Sequence, residues 1–236
     1  MPGLGRLHAP DPRDFRFLLS ETPRADAVVR RANHLWAYFD KPFDQGNTGT
    51  CVGHGWKSFL VSAPVIQSDV DEPPSPFEIY DGCLPIDEWS DNDQDVERQF
   101  GTSVRAGAKY LASLGMVGEY RWCFSANQAS DWLAGMDAEG RFTGGPLVIG
   151  VNWYDSMFET DTEGFLHIRP GSWVAGGHCV CLLGWNEKRG FAYGINSWGS
   201  NWGRSGRFYM PGEVLGRLLA ESGEACSAIE LRQRVG

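Results

Sequence analysis

The sequence predicts an α+β fold with two unlike lobes, on three observations. Apolar segments of helical character fill the first half of the chain, and short β-like runs separated by glycines take over from about residue 144. Thirty glycines and 13 prolines in 236 residues supply many turns between short elements. That length suits one large domain, or two half-domains sharing a cleft.

Residues 1–43 are rich in proline and charge, with only short apolar runs such as 15–19 and 34–39, and read as an extended arm laid across the fold. After the turn-rich DQGNTG, the apolar run 52–65 predicts a helix ended near Pro64. The loop DVDEPPSP forbids helix continuation through its prolines at 73, 74 and 76, and FEIYDGCL predicts a short helix after it. An acidic stretch, DEWSDNDQDVERQ, leads to GTSVRAGAKYLASLG, a helix capped by Thr102 or Ser103 and closed by Gly115. Another short helix is expected over 126–133. The β-like runs are PLVIGVNWY, GFLHI, GHCVCLLGW, GFAYGINSW and GRFYM, and GEVLGRLLAESGEA reads as a last helix. The expected organisation is a single domain over 1–236: the arm at 1–43, a mainly helical lobe at 44–135 and a mainly β lobe at 136–236.

A formal charge of −9 provides no basic footprint for nucleic acid, and no lysine cluster marks a membrane surface. No segment approaches the ~18 consecutive apolar residues of a membrane span. The opening MPGLGRLHAPDPRDFRF is too polar and proline-rich for a secretory signal. The expectation is a soluble, monomeric, cytoplasmic chain, compatible by analogy with a bacterial or phage-encoded setting. Six cysteines are too sparse for a disulfide scaffold, so reduced thiols are expected.

Three places carry chemistry. Cys51 stands just ahead of an apolar helical segment, where the helix macrodipole and unpaired backbone N–H groups favour a thiolate. His178, in AGGHCVCLLGW, begins a strand with two glycines before it, so other backbone can approach closely. Asn196, in INSWGSNWGRSGRFYM, offers a side-chain carbonyl that can accept a histidine ring N–H, fix the tautomer and leave the other ring nitrogen facing a thiol. A large indole over that contact would shield it from water.

Together QGNTGTC, GGHCVCLLGW and NSWGSNWGRSGRFYM resemble the papain-like cysteine peptidase family. The order Gln, Cys, His, Asn is the family's, and His178 and Asn196 follow Cys51 by 127 and 145 residues. The resemblance implies a helical left lobe and a β-rich, barrel-like right lobe with the cleft between them. It implies Cys51 as nucleophile, His178 as its ion-pair partner and general acid–base, Asn196 as the group orienting His178, and Gln45 as an oxyanion donor beside the Cys51 N–H. Trp198 matches the indole covering the His–Asn bond. Gly101 corresponds loosely to the glycine whose backbone pairs with an extended substrate, and Gly101, Gly177 and Trp198 are expected to border that substrate. The implied activity is endopeptidase hydrolysis of peptide or protein substrates through a thioester, with no cofactor and no metal. Acyl transfer to an amine, and a non-catalytic binder on the same fold, are the alternatives.

Departures from the pattern are informative. Thr48 stands where the secreted relatives carry a disulfide cysteine, which leaves the chemistry untouched. The pocket for the second side chain upstream of the cut would be lined by Gly150, Gly176 and Cys179, small walls that imply a roomy site. Only 44 residues precede Gln45, so the enzyme is expected to be made active or to be restrained by its short arm or a partner. His54, three residues after Cys51, is expected to pack rather than act as a base. Strand alternation turns Cys179 and Cys181 away from His178, which argues against zinc. The acidic run lacks the order of an EF-hand loop, and the glycines of NSWGSNWGRSG have no phosphate-binding context.

Overall fold

The computed structural model describes residues 2–65, 73–88 and 97–228. Residues 66–72 of the predicted proline loop and its approach, and 89–96 of the acidic run, lie outside them.

The arm starts as extended chain at Pro2, forms 3-10 turns at Pro12–Arg16 and Leu19–Glu21 and one helical turn, α1 (Pro23–Asp26), then two short strands, β1 (Arg30–Arg31) and β2 (His34–Leu35). Three helices follow, α2 (Cys51–Leu60), α3 (Pro76–Cys83) and α4 (Val104–Ser113), then β3 (Tyr120–Cys123), α5 (Ala126–Ala134) and β4 (Gly135–Met136). The second half comprises β5 (Leu147–Tyr154), β6 (Val174–Asn186), β7 (Phe191–Ile195), β8 (Arg207–Pro211), α6 (Gly212–Ala220) and β9 (Glu224–Ala228).

The helices begin where local chemistry satisfies their first N–H groups. Ser75 and Glu78 form a reciprocal capping box at α3, with Pro76 in its first turn. Ser103 accepts from the Ala106 N–H at 3.1 Å to start α4, and Ser125 does the same for α5. Helix α2 is shorter than expected, ending at Leu60 rather than near Pro64. Its two glycines weaken it as a helix but let it pack tightly. A Cβ on Gly53 would lie 2.1 Å from the Pro76 carbonyl oxygen, and one on Gly55 would lie 2.8 Å from the Cys179 sulfur.

The main sheet is antiparallel in the order β3-β9-β5-β6-β7-β8, and β2 also pairs with β6. Helix α2 packs on one face of it, so β5 and β6 are apolar on both sides. Leu147, Ile149, Val151, Trp153, Val180 and Leu182 enter a core shared with α5 and α6, while Val148, Cys179, Cys181 and Leu183 enter a second core with α2 and α4. Two expectations change here. GFLHI forms only a bridge, Phe165 to Tyr209: Gly164 and Leu166 exchange two backbone hydrogen bonds with Tyr209 of β8, while the Phe165 carbonyl turns back to the Asp161 N–H. The end of the expected last helix is instead β9, whose five small or polar residues are all buried between β3 and β5.

Candidate active site

The β6–β7 hairpin builds one wall of the cleft. Its register pairs Cys181 with Ile195, and continuing that pairing sets Trp198 opposite His178. The rings stack at 4.7 Å between centroids and 22°, while Trp153 meets His178 edge-on at 4.7 Å and also meets Trp198 edge-on at 5.5 Å. His178 Nε2 donates to Asn196 Oδ1 at 2.8 Å. The same oxygen accepts the Ser197 N–H at 2.8 Å, which fixes the amide orientation and therefore puts the imidazole proton on Nε2. His178 Nδ1 is left as a buried acceptor with no hydrogen-bond partner. Burial lowers the His178 pKa to about 4, opposed by the Asn196 bond and assisted by the charge of His54.

The opposite wall is the start of α2 and the turn before it. Residues 43–45 pair with the 197–199 segment, the Gln45 N–H donating to the Ser197 carbonyl at 2.8 Å and the Gly199 N–H to the Phe43 carbonyl at 2.9 Å. The Ser197 hydroxyl donates to Gln45 Oε1 at 2.5 Å, so the Gln45 amide points its Nε2 into the cleft. Cys51, fully buried, follows as the first residue of α2. His54 lies one turn along and its Nδ1 donates back to the Thr50 carbonyl at 2.9 Å, with Phe43 and Phe77 edge-on to its ring. Burial lowers its pKa to about 4. It packs, as the sequence suggested.

The space between the walls is filled by the chain's own residues 2–7. Gln45 Nε2 donates to the Gly3 carbonyl at 3.2 Å and Trp198 Nε1 donates to the same oxygen at 3.3 Å. The Gly177 carbonyl accepts the Gly5 and Arg6 N–H groups, both at 3.0 Å. Thr102 donates its N–H to the Gly5 carbonyl at 2.9 Å and accepts the Leu7 N–H at 2.9 Å. Glycine is required at two arm positions. A Cβ on Gly3 would lie 1.9 Å from the Thr48 carbonyl oxygen, and one on Gly5 would lie 2.0 Å from that of Gly49.

The filled cleft bears on three expectations. A thiolate was expected at Cys51, but burial pushes its pKa up to about 12, against the pull of backbone hydrogen bonding from Cys179, Gly5 and Val52 and of the Arg6 charge. With water excluded, the helix start does not outweigh desolvation. Substrate pairing was expected at Gly101; the arm's backbone bonds here are made with Thr102, and Gly101, at φ +90°, gives the close approach: a Cβ there would lie 2.1 Å from the Gly5 carbonyl oxygen. Of the three expected pocket walls, Gly150 faces Arg6 and Gly176 faces Leu4, but the Cys179 sulfur lies against Gly55 of α2. The sequence reading also missed Arg6 and Glu224, which form an ion pair at 3.1 Å beside Gly150. Nothing local in PGLGRL or SGEAC signals that contact, which spans 218 residues.

Comparison with known proteins identifies the fold. Residues 137–221 match the family model described as papain family cysteine protease. An uncharacterized peptidase C1-like protein of Acanthamoeba polyphaga mimivirus is 26% identical, over 71% of this chain and 63% of its own length. The chain thus spans less than two-thirds of that curated relative. Among solved structures, xylellain, a cysteine protease from Xylella fastidiosa, superposes with a TM-score of 0.70 over 98% of both chains at 19% identity. Digestive procathepsin L2 of Tenebrio molitor larval midgut superposes with a TM-score of 0.68 at 15% identity, over 97% of this chain and 78% of that one. The fold is papain-like, and the β-rich half carries the papain family's sequence pattern.

Proposed function

We propose that this papain-like chain is a cysteine peptidase acting on peptides or proteins, held latent by its own N-terminal residues. The observation that carries the reading is His178: Nε2 is committed to Asn196, the ring stacks on Trp198 and meets Trp153 edge-on, and Nδ1 is buried without a partner. A base oriented so firmly, across the cleft from a cysteine at a helix start, is arranged for proton exchange with that thiol.

Once the cleft admits substrate, Cys51 gives its proton to His178 Nδ1 and the sulfur attacks the peptide carbonyl carbon. The carbonyl oxygen becomes an oxyanion, received by Gln45 Nε2 and the Cys51 N–H. Collapse breaks the C–N bond as His178 protonates the departing amine, leaving a thioester. Water, giving a proton to His178, then attacks the thioester; the C–S bond breaks, the acid leaves and Cys51 recovers its proton. No step calls for a cofactor. Transfer to an amine and pure binding draw no support from any contact in the cleft.

Latency follows from chain direction. In the papain-like reading, residues upstream of the cut lie along Thr102, Gly150 and Gly177. Here the carbonyl at Gln45 belongs to Gly3, and the residues along that rail, Gly5 to Leu7, come after it. The arm therefore runs opposite to a productive substrate, which supports its being a plug rather than a substrate. Six free cysteines and no helix, among the described residues, long and apolar enough to cross a membrane support work in a reducing compartment such as the cytoplasm.

Labelling by a thiol-directed peptidyl epoxide tests both parts. The Gly5→Val chain, whose new side chain cannot fit beside Gly49, is expected to label at Cys51 about tenfold to a hundredfold faster than wild type, since overpacking costs about 1–3 kcal/mol. Its peptide hydrolysis should rise with the labelling and vanish in Gly5→Val/Cys51→Ala. Equal labelling of other thiols, or hydrolysis surviving without Cys51, would remove the nucleophile from this reading.

A further inference from the structure

The sheet face on which α2 packs runs on beyond the helix. Cys181, Leu183 and Ile195 lie in the core on that face, and the register carries it outward to Tyr193 of β7 and to Arg207 and Tyr209 of β8. There an open cavity of about 480 Å³ is lined by Leu35, Leu183, Tyr193, Arg204, Arg207 and Tyr209. None of these residues belongs to the cleft described above.

Two of them are brought together against their own repulsion. Arg204 and Arg207 face each other across a two-residue type I′ turn, Ser205 at φ +53° and Gly206 at φ +80°, and exchange both backbone hydrogen bonds at 2.9 and 3.2 Å. In such a pair the side chains leave one face from Cα atoms about 5.5 Å apart, and like charges placed opposite one another are destabilising. Ser205 adds the strain of a non-glycine residue at positive φ.

Among the described residues neither guanidinium forms an ion pair. Arg189 takes the Glu163 carboxylate at 3.5 Å, and Arg204 is left with the Glu163 carbonyl at 3.3 Å. Each guanidinium lies instead over a ring, Arg204 at 5.7 Å from the centre of Tyr209 and Arg207 at 5.4 Å from that of Tyr38. Those contacts hold the guanidinium groups in place without supplying an anion. Gly164 keeps the lane of one of them open, since a Cβ there would lie 2.6 Å from Arg204 Cδ.

On a chain of net charge −9, two held guanidinium groups with no acid beside them make a local site for anions. The guanidinium fork matches a carboxylate with two parallel hydrogen bonds, and the rings of Tyr193 and Tyr209 with exposed Leu35 offer apolar footing between the charges. Two cations on an acidic chain fall short of the basic track that a nucleic acid backbone needs.

We propose that this groove is an exosite for an acidic peptide segment, in which two carboxylate side chains pair with Arg204 and Arg207 while apolar side chains between them rest on Tyr193, Tyr209 and Leu35. As a binding groove it is independent of the peptidase reading. As a site that holds a substrate while Cys51 cuts another part of it, it rests on that reading.

Binding is tested by calorimetry on the full-length wild type, whose cleft is filled by its own arm. The probes are an acetylated, amidated hexapeptide alternating glutamate with leucine, and its counterpart with glutamine in place of glutamate. The glutamate peptide should bind about tenfold more tightly at low salt, and the advantage should shrink as salt is raised. Arg204→Gln and Arg207→Gln should each weaken it about fivefold, and the double variant about twentyfold or more. Equal binding of the two peptides, or glutamate-peptide binding that survives the double variant, overturns the groove. So does inorganic tripolyphosphate binding at the arginines where the glutamate peptide does not.

The substrate role is tested in the Gly5→Val chain with an internally quenched peptide joined to either hexapeptide through a glycine-serine linker, at one end and then at the other. The glutamate extension should raise kcat/KM about fivefold over the glutamine one at one of the two ends, and Arg204→Gln/Arg207→Gln should remove the difference. Cleavage without that difference at either end overturns the substrate role. Arginine-dependent binding with no cleavage of any peptide supports the groove and counts against the peptidase; cleavage with no arginine-dependent binding counts against the groove alone.

Discussion

The two walls of the cleft are made by different means. The His178 wall is a product of neighbouring strands: β5 supplies Trp153, β6 supplies His178, and the turn after β7 supplies Asn196 and Trp198. Its hydrogen bond and ring contacts need only the register of β5, β6 and β7. The Cys51 wall is tied to residues 42 positions earlier, through the Gln45 bond to Gly3, and its thiol shares hydrogen bonding with Gly5. The hydrogen bond and ring contacts that orient His178 are thus made by the sheet, with the arm touching that wall at Gly177 and Trp198, while the raised pKa of Cys51 reflects a burial to which the arm contributes. A site of this kind can be fully assembled and still inactive.

Three measurements would break or sharpen that contrast. The largest effect is expected at Gln45. In the Gly5→Val background, Gln45→Ala should lower kcat by about 10² to 10³, the ~2.7–4 kcal/mol of one oxyanion donor, with little change in KM. An unchanged kcat would mean that Gln45 serves only to hold Gly3.

Acid comes next, because each wall carries one buried histidine whose pKa is lowered from 6.5 to about 4 by burial, His178 in one and His54 in the other. Above pH 6.5 both are neutral whether the chain is folded or not, and stability is unaffected. As pH falls from 6.5 to 4 the unfolded chain takes up protons that the folded chain refuses, so stability drops by about 3 kcal/mol per histidine. Thermal melts across this range should show the decline, and His54→Gln should remove roughly half of it. A full-sized decline in that variant would place the whole effect elsewhere.

The smallest of the three is Asn196→Ala, again in the Gly5→Val background. Stacking on Trp198 and the edge contact with Trp153 still confine the ring, so the loss is that of one hydrogen bond, about 1–2 kcal/mol or roughly tenfold in kcat. A lower Tm with kcat intact would make the bond a structural one.

Much of the second half was legible before the structure. Strands β5, β6, β7 and β8 follow runs whose apolar character and glycine boundaries mark them, and the caps at Ser103 and Gly115 bound α4 as expected. Strand β9 was not legible, since EACSA has no alternation of its own and is a strand only because β3 and β5 flank it. Helix α2 was found with its end misplaced: apolar residues continue to Val65, but the chain turns after Leu60. In the site, the four residues Gln45, Cys51, His178 and Asn196 could be singled out because short motifs carry them. Arg6 and Glu224 could not, since an arginine near a chain start and a glutamate before a short strand look like ordinary surface charges.

The sequence by itself determined the elements whose causes are local, the helix caps, the alternating strands and the glycines of close approach, and with them the residue types able to do thiol chemistry in the right order along the chain. Only the tertiary structure decided what those residues face. The plug in the cleft, the neutral Cys51 and the buried Arg6–Glu224 pair arise from contacts between distant segments. Burial and the removal of water govern ionisation and charge pairing, and neither exists until the chain has packed.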